Sequence, residues 1–251
     1  MEVAPRIFRV GSGLVNSYFV EESGRLTMVD TGLPGQWKSI LATLAAMNRT
    51  VNDIEAVFIT HAHLDHTGAI ERIRRATSGR IIARIHPLDI PEAMGERGMM
   101  RDPNRPPEPF PPLRNVFGFL FRMMRLGLTG APKVVELTRQ NAGAVLDVPG
   151  SPTVVETPGH TLGSSSLHFA GHDALFAGDA ISMTNPLKRI VGPTIVLGFA
   201  ADTRAAVHSL DRLTEHESHY LLTGHGEPWT GGVAEAVRIA KAGVPPLPPL
   251  R

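Results

Sequence analysis

The stretch THAHLDHTG, residues 60–68, places three histidines and one aspartate within six consecutive positions. It follows directly on the apolar run AVFIT, residues 56–60, which predicts a short buried strand. On a helix, His61 and His63 would point about 200° apart, whereas on an extended segment they face the same side. Asp65 and His66 continue around the turn that follows. The sequence therefore predicts a strand end whose imidazole and carboxylate groups converge on one or two cations.

Three more candidate ligands occupy the same kind of position. His160 lies in TPGHTLGSSSL between two predicted strands, and Asp179 lies in LFAGDA after an apolar strand. His225 lies in LLTGHGEP, again after a strand and between two glycines. Glycine permits the sharp backbone turns that bring such side chains into a shared pocket. This common placement at strand ends is stronger evidence for a metal site than the number of histidines.

The composition limits which groups can hold a metal and which partners are expected. The 251 residues include no cysteine, so disulfides and thiolate ligands are excluded. A hydrophobic content of 42% supports an ordinary core, and a net charge of +1 gives no general reason to expect nucleic acid as a partner. The N-terminus MEVAPRIFRV has no signal-peptide pattern, and no apolar run of roughly 18 residues predicts a membrane span. We therefore expect a cytoplasmic protein that acts on a small molecule.

Strand and helix signals alternate in both halves of the chain, which predicts an α/β fold with sheets covered by helices. We expect a single domain over residues 1–251, whose proline-rich end, residues 244–251, is not helical. The predicted strands are 6–10, 16–22, 26–30, 56–60, 80–86, 153–157, 165–169, 174–177 and 219–224, and the predicted helices are 34–47, 69–77, 202–213 and 232–242.

Residues 91–132 interrupt this alternation and are predicted to form a helical, Pro-rich insertion. Prolines occupy positions 103, 106, 107, 109, 111 and 112, and VFGFLFRMMRLGL follows at residues 116–128. Met and Phe are adaptable apolar side chains, so this segment is interpreted as an active-site flap for an apolar ligand or as a homodimer contact. Residues 97–139 contain eight Lys or Arg and three Asp or Glu, which indicates a solvated basic face or attraction of an anionic substrate. Lys188 and Arg189 are predicted either to be surface residues or to hold a carboxylate or phosphate group of the substrate.

The motifs HAHLDH, GH, GD and GHG, taken in this order with the early VDTG, are similar to those of the metallo-β-lactamase-fold hydrolase superfamily. The resemblance runs from about Ile7 to Gly232, apart from the insertion. It implies a four-layer αββα sandwich with a site for two metal ions. By position, His61, His63 and His160 would bind the first metal. Asp65, His66 and His225 would bind the second, and Asp179 would bridge both; Asp30, in VDTG, either forms a turn or orients a ligand.

The implied chemistry is hydrolysis by a metal-bound hydroxide, with Asp65, His66 and Asp179 as the catalytic residues. Imidazole and carboxylate ligands suit Zn, with Fe and Mn as alternatives, and two such ions can share a hydroxide at neutral pH. The first hypothesis is a dinuclear zinc enzyme that cleaves an ester, lactone or related acyl bond in a substrate with an apolar portion. The alternatives are a mononuclear iron persulfide dioxygenase, a phosphodiesterase and a non-enzymatic binding module.

Features beyond the ligands separate the subfamilies only in part. Thioester hydrolases of the glyoxalase II type carry a further C-terminal helical domain, whereas 26 residues follow His225 here. Quorum-quenching lactonases carry a tyrosine soon after the bridging aspartate, and residues 181–199 contain none. The sequence therefore predicts the reaction class and leaves the substrate open.

Overall fold

The computed structural model describes residues 1–107, 110–128 and 133–247. Pro109, the predicted end of the insertion at 129–132 and the tail residues 248–251 lie outside these ranges. No helix in the described ranges is long and apolar enough to cross a bilayer.

The larger sheet has seven strands in sequence order, antiparallel from β1 to β4 and parallel from β4 to β7. Parallel strands place their carboxyl ends at one edge, so the segments after β4 and β5 emerge side by side. The strands are β1 (Glu2–Ala4), β2 (Ile7–Gly11), β3 (Asn16–Glu22), β4 (Arg25–Val29), β5 (Ile54–Phe58), β6 (Arg84–Ile85) and β7 (Thr138–Arg139).

The second sheet has four strands in the order β13-β10-β9-β8, and a separate two-stranded hairpin, β11–β12, follows β10. Strands β10 and β13 are parallel, whereas β9 is antiparallel to both of its neighbours. The strands are β8 (Thr153–Glu156), β9 (Ser165–Phe169), β10 (Ala174–Gly178), β11 (Ser182–Asn185), β12 (Ile190–Thr194) and β13 (Tyr220–Thr223).

The described residues form seven α-helices, which lie in the connections between strands or after the last strand. A 3₁₀ turn precedes the first and the fourth of them, and the sixth continues into the 3₁₀ segment Ser209–His216. The helices are α1 (Trp37–Ala46), α2 (Leu64–Thr67), α3 (Ile70–Ala76), α4 (Ile90–Ala93), α5 (Leu113–Arg125), α6 (Thr203–His208) and α7 (Val233–Ala242).

Apolar side chains on both faces of the strands form three buried layers. These layers separate four layers of secondary structure. In β10, Phe176 faces the other sheet, whereas Leu175 and Ala177 face α6 and α7. In β5, Phe58 faces the second sheet and Val57 faces the α1 and α3 side. A strand whose successive side chains are both buried must be covered on both faces. The predicted αββα sandwich is therefore confirmed.

The described part of the insertion contains most of the short helix α4 and the longer helix α5, which packs beside the strand ends. Met123 is buried against Val15 and Leu33, and Asn115 Nδ2 donates to the Leu187 carbonyl at 2.9 Å. The opposite face of α5 is exposed, with relative exposures of 63% for Leu113, 68% for Phe117, 60% for Phe121 and 57% for Met124. The role of this face as flap or dimer contact stays a prediction.

Several element boundaries differ from the sequence expectations. The strand predicted at 80–86 is only Arg84–Ile85, because the pairing is confined to these two residues: Arg84 pairs with both β5 and β7, and Ile85 pairs with β7. The helix predicted at 202–213 is α for Thr203–His208 only and then tightens to 3₁₀. The hairpin β11–β12 was not predicted, since its strands contain polar residues, Gly192 and Pro193 that weaken the strand pattern.

Candidate metal centre

The candidate ligands meet where strand ends of both sheets come together. The parallel pair β4 and β5 leads to Asp30 and to His61, and the parallel pair β10 and β13 leads to Asp179 and His225. His160 lies in the loop between β8 and β9. Strand β8 runs in the same direction as β10, because β9 is antiparallel to both, so this loop emerges at the same edge. A backbone hydrogen bond of 2.9 Å from the Ser165 N–H to the Thr60 carbonyl joins the two sheets at this edge.

The HAHLDH motif changes conformation halfway along. His63 is extended, with φ −63° and ψ 149°, and it precedes the single helical turn α2. Asp65 and His66 lie on that turn, which the sequence interpretation treated as a simple continuation of the loop. The extended half directs His61 and His63 to one side, and the turn brings Asp65 and His66 back toward them.

All seven predicted ligands lie in three overlapping groups, within each of which the ligand atoms are within 4.8 Å of one another. Asp179 shares its group with His61 and His66, which belong to different halves of the predicted site. The groups are His61, His63 and His160; His61, His66 and Asp179; and Asp65, His66 and His225. The structure therefore brings together every residue that the motifs selected, and none of the other six histidines joins a group in the described part of the chain.

Imidazole and carboxylate groups approach one another closely at the centre. His160 Nε2 lies 3.0 Å from His63 Nδ1, and His225 Nε2 lies 3.1 Å from Asp179 Oδ2. His61 Nε2, His66 Nε2 and Asp179 Oδ1 are buried without a hydrogen-bond partner. Buried polar atoms are usually paired, so convergent unpaired donors of this kind fit a bound cation.

Three of the imidazoles form a hydrogen bond through the ring nitrogen that points away from the centre. These hydrogen bonds determine which nitrogen of each ring faces the centre. Nδ1 of His61 lies 3.1 Å from Thr60 Oγ1, and Nδ1 of His66 lies 2.8 Å from Asp30 Oδ2. Nδ1 of His225 contacts the Leu14 carbonyl. Each of these rings therefore presents Nε2 to the centre, in the arrangement by which outer groups orient metal ligands.

Asp30 combines the two roles that the sequence left open. It adopts a left-handed conformation, with φ 57°, at the end of β4. Its buried carboxylate accepts hydrogen bonds from the Thr60 N–H at 2.8 Å and from the Thr60 hydroxyl, and it orients His66. One side chain thus ties β4, β5 and α2 together behind the centre.

Two acidic residues that sequence reasoning missed support the other half of the site. Asp89 is fully buried; it accepts from the Ala62 N–H at 2.9 Å, and also from the Thr161 hydroxyl and the Gly163 N–H. Glu92 has a side chain that is 8% exposed, with Oε1 3.6 Å from His63 Nε2. Both lie in HPLDIPE at the start of the insertion, where the signal was an acidic pair in an otherwise apolar and Pro-containing stretch.

The charges in the site divide the histidines into two classes. Burial, and then repulsion from neighbouring imidazoles, lowers the pKa of His61 and His63, that of His63 to about 3. Burial also lowers the pKa of His160, against the attraction of Asp179.

For the remaining imidazoles, carboxylates outweigh burial. Burial acts to lower the pKa of His66, but Asp30 and Asp179 together raise it to about 9. Burial likewise opposes the effect of Asp179 and Asp65 on His225, whose pKa is nevertheless held well above its usual range. Burial works against ionisation of Asp65 and Asp179 as well, yet the surrounding imidazoles lower the pKa of both carboxyls.

The family model of the metallo-beta-lactamase superfamily matches residues 10–225 of this chain. The chain belongs to the metallo-beta-lactamase superfamily. This is a superfamily of metal-dependent hydrolases, and the clustered imidazoles and carboxylates are groups that could hold a metal ion.

Relatives of similar length agree with this membership. Two proteins of Bacillus subtilis (strain 168) are each 27% identical to this chain. The match to the uncharacterized protein YobT covers 85% of this chain and 83% of YobT. The match to the probable metallo-hydrolase YflN covers 92% of this chain and 87% of YflN. The crystal structure of TTHA1623 in a di-iron-bound form superposes with a TM-score of 0.63 at 22% identity, covering 93% of this chain and 97% of that one.

Glycine is required at position 224 because two candidate ligands lie very close to its backbone. A Cβ atom at this position would collide with Asp179 Oδ1 and His66 Cε1. We predict that Gly224→Ala displaces these side chains and lowers the metal content of the purified protein at least several-fold while far-UV circular dichroism is retained. Gly171→Ala is the matched control, because a Cβ there meets nothing within 4 Å. Equal metal content in both variants, measured by elemental analysis, would contradict the assignment.

Glu92 is predicted to support His63 from behind. The Glu92→Gln variant keeps the shape of the side chain and removes its charge, so metal affinity should fall roughly 10- to 100-fold, as for other carboxylates that contact a ligand histidine. The control is Glu96→Gln, four residues along and exposed. Competition titration with a chromophoric chelator measures the affinity, and wild-type affinity in the Glu92 variant would rule out the role.

Proposed function

We propose that this protein is a dinuclear metal-dependent hydrolase that cleaves an ester, lactone or related acyl bond. The single observation that carries the proposal is the position of Asp179, whose carboxylate contacts both halves of the cluster. Its Oδ2 lies 3.6 Å from His160 Nε2 and 3.1 Å from His225 Nε2, and its Oδ1 lies 3.6 Å from His66 Nε2. A carboxylate between two sets of imidazoles is suited to bridge two cations.

The ligand assignment follows the three groups. We assign His61, His63 and His160 to one metal, Asp65, His66 and His225 to the other, and Asp179 to both. Nitrogen and carboxylate donors suit Zn, and Fe or Mn fit the same set. When bound, two such ions supply a hydroxide at neutral pH and stabilise negative charge that develops on the substrate oxygen.

The protein's own residues prepare this site in three ways. The lowered pKa values of Asp65 and Asp179 keep both carboxylates ionised, so they are ready to bind cations or to accept a proton at their free oxygens. Asp30 and the Leu14 carbonyl fix the orientation of His66 and His225. Burial of His61, His66 and Asp179 excludes bulk water from the back of the site, which strengthens its electrostatic interactions.

Elemental analysis followed by a substrate panel tests the proposal. We expect two zinc equivalents per chain and turnover of lactones or apolar esters in preference to thioesters, phosphodiesters and β-lactams. One iron per chain together with oxygen uptake on a persulfide would replace the proposal by the dioxygenase alternative. Turnover of phosphodiesters alone would indicate that the enzyme catalyses phosphoryl transfer instead of acyl transfer.

Asp179→Ala is predicted to lower metal occupancy and activity together, because one carboxylate serves both halves of the site. Asp147→Ala, an exposed aspartate outside the cluster, is the control and should match the wild type in both measurements. Full activity in an Asp179 variant whose metal content has been quantified would remove the bridging role.

The two halves should also respond differently to pH. Near pH 7 the metal-free protein has neutral His61, His63 and His160, whereas His66, with a pKa of about 9, and His225 carry protons. A cation that binds at His66 and His225 must displace these protons, so its affinity should rise with pH more steeply than that of the first cation. Zinc titration calorimetry between roughly pH 6 and 8, in buffers of different ionisation enthalpy, measures both steps. Identical pH slopes for the two would contradict the prediction.

A further inference from the structure

A pocket of about 810 Å³ lies next to the candidate metal centre. It opens between the turn that joins β2 and β3, the C-terminal end of α5, the β11–β12 hairpin and the loop after His225. Small-molecule sites typically measure about 300–1,000 Å³, so this pocket is large enough for a substrate of moderate size.

The pocket shares its backbone with one of the candidate ligands. Gly226, in the pocket wall, directly follows His225, and the Leu14 carbonyl in the same wall contacts His225 Nδ1. The Met183 N–H, in a third part of the wall, donates to the His225 carbonyl at 2.9 Å. A molecule held in the pocket therefore lies against the residues that position His225.

Part of the pocket lining is apolar. Leu14, Leu126, Met183 and Trp229 contribute to its lining. The Trp229 indole N–H is already bound to the Gly232 carbonyl at 2.9 Å, so the ring needs no polar partner from a ligand. Such a wall favours a hydrocarbon or aromatic body.

The lining also carries positive charge. Arg122, Arg125 and Arg189 line the pocket, and within the described residues no carboxylate lies within ion-pair distance of their guanidinium groups. Arg122 Nε donates to the Gly118 carbonyl of its own helix, and Arg125 lies 5.9 Å from the centre of the Phe121 ring.

The acidic side chain among the lining residues, Glu227, is already paired with a cation. Glu227 forms an ion pair of 2.8 Å with Arg9, which lies outside this pocket. Three arginines thus face the pocket with their charges available. Guanidinium groups pair with carboxylate and phosphate through two parallel hydrogen bonds, which makes them the preferred side chains for anions of this shape.

We propose that this pocket binds the anionic end of an amphiphilic substrate, a carboxylate or a phosphate joined to an apolar body. Arg122, Arg125 and Arg189 hold the anion, and the body lies along the apolar wall toward His225. This inference rests on the proposed hydrolase function and narrows its substrate class to acyl compounds with a distal negative charge.

A pair of esters that differ in one group tests the inference on the metal-loaded enzyme. The mono-p-nitrophenyl ester of suberic acid carries a distal carboxylate, whereas p-nitrophenyl octanoate has the same chain length and no charge. We expect the wild type to prefer the charged ester in kcat/KM. The Arg122→Gln/Arg125→Gln double variant should reduce the ratio of charged to neutral kcat/KM roughly 10-fold, through the KM for the charged ester. Arg189→Gln should shift the ratio in the same direction.

Arg114 provides the matched control on the same helix. It is exposed and does not line the pocket, so Arg114→Gln should leave the ratio at the wild-type value. A ratio that the double variant leaves unchanged, or that Arg114→Gln lowers equally, would overturn the assignment of the pocket.

Direct binding separates this inference from the hydrolase proposal. Calorimetric titration of the purified protein with octanoate and with octyl phosphate shows which anion the arginines prefer. Arginine-dependent binding without ester turnover would support the pocket and refute acyl hydrolysis. Ester turnover, with binding of both anions equal in wild type and double variant, would refute the pocket and leave the hydrolase proposal intact.

Discussion

The structure depends on holding five imidazoles and two carboxylates within a few ångströms of one another in a largely buried site. His61, His66 and Asp179 have buried atoms at the centre with no hydrogen-bond partner among the residues that the structure describes. Unpaired buried polar atoms are unfavourable, and convergent ligands become favourable when a cation binds them. Binding free energy at such a site adds to the stability of the fold, because the unfolded chain has no preformed site. The surrounding sheets can be understood as the frame that keeps this cluster in place.

That frame uses the ends of two sheets and a small number of buried hydrogen bonds across them. Asn16 Nδ2 donates to the Gly226 carbonyl at 2.7 Å, and the Tyr18 hydroxyl donates to the Thr223 carbonyl at 2.8 Å, so β3 is tied to the loop that carries His225. Asp30 ties the end of β4 to the HAHLDH segment, and Asp89 ties the same segment to the loop of His160. Each ligand-bearing loop is therefore fixed by a neighbour from another element, which is what a preorganised site requires.

The sequence predicts the fold and the seven clustered residues because both depend on local patterns. Apolar runs followed by Gly, His or Asp identify strand ends, and strand ends in parallel pairs meet at one edge. Asp89 and Glu92 could not be found in this way, since their role arises from packing between segments far apart in the chain. The same holds for α5: the apolar segment was recognised, but its start at Leu113 is set by Pro112, which stands just before the first helical residue. The β11–β12 hairpin was missed because its strands combine polar residues with Gly192 and Pro193, which weakens the strand pattern.

The position of Asp89 and Glu92 has a consequence for chimaeric proteins built from this superfamily. The predicted insertion begins at residue 91, yet α4 at Ile90–Ala93 carries a side chain that contacts His63, and Asp89 immediately precedes it. The first helical turn of the insertion thus supports the candidate metal centre, whereas α5 lies beside the neighbouring pocket. An exchange of this segment between relatives should place its junction after Ala93, so that the donor sequence supplies a new substrate surface and the host retains the supports of its own histidines.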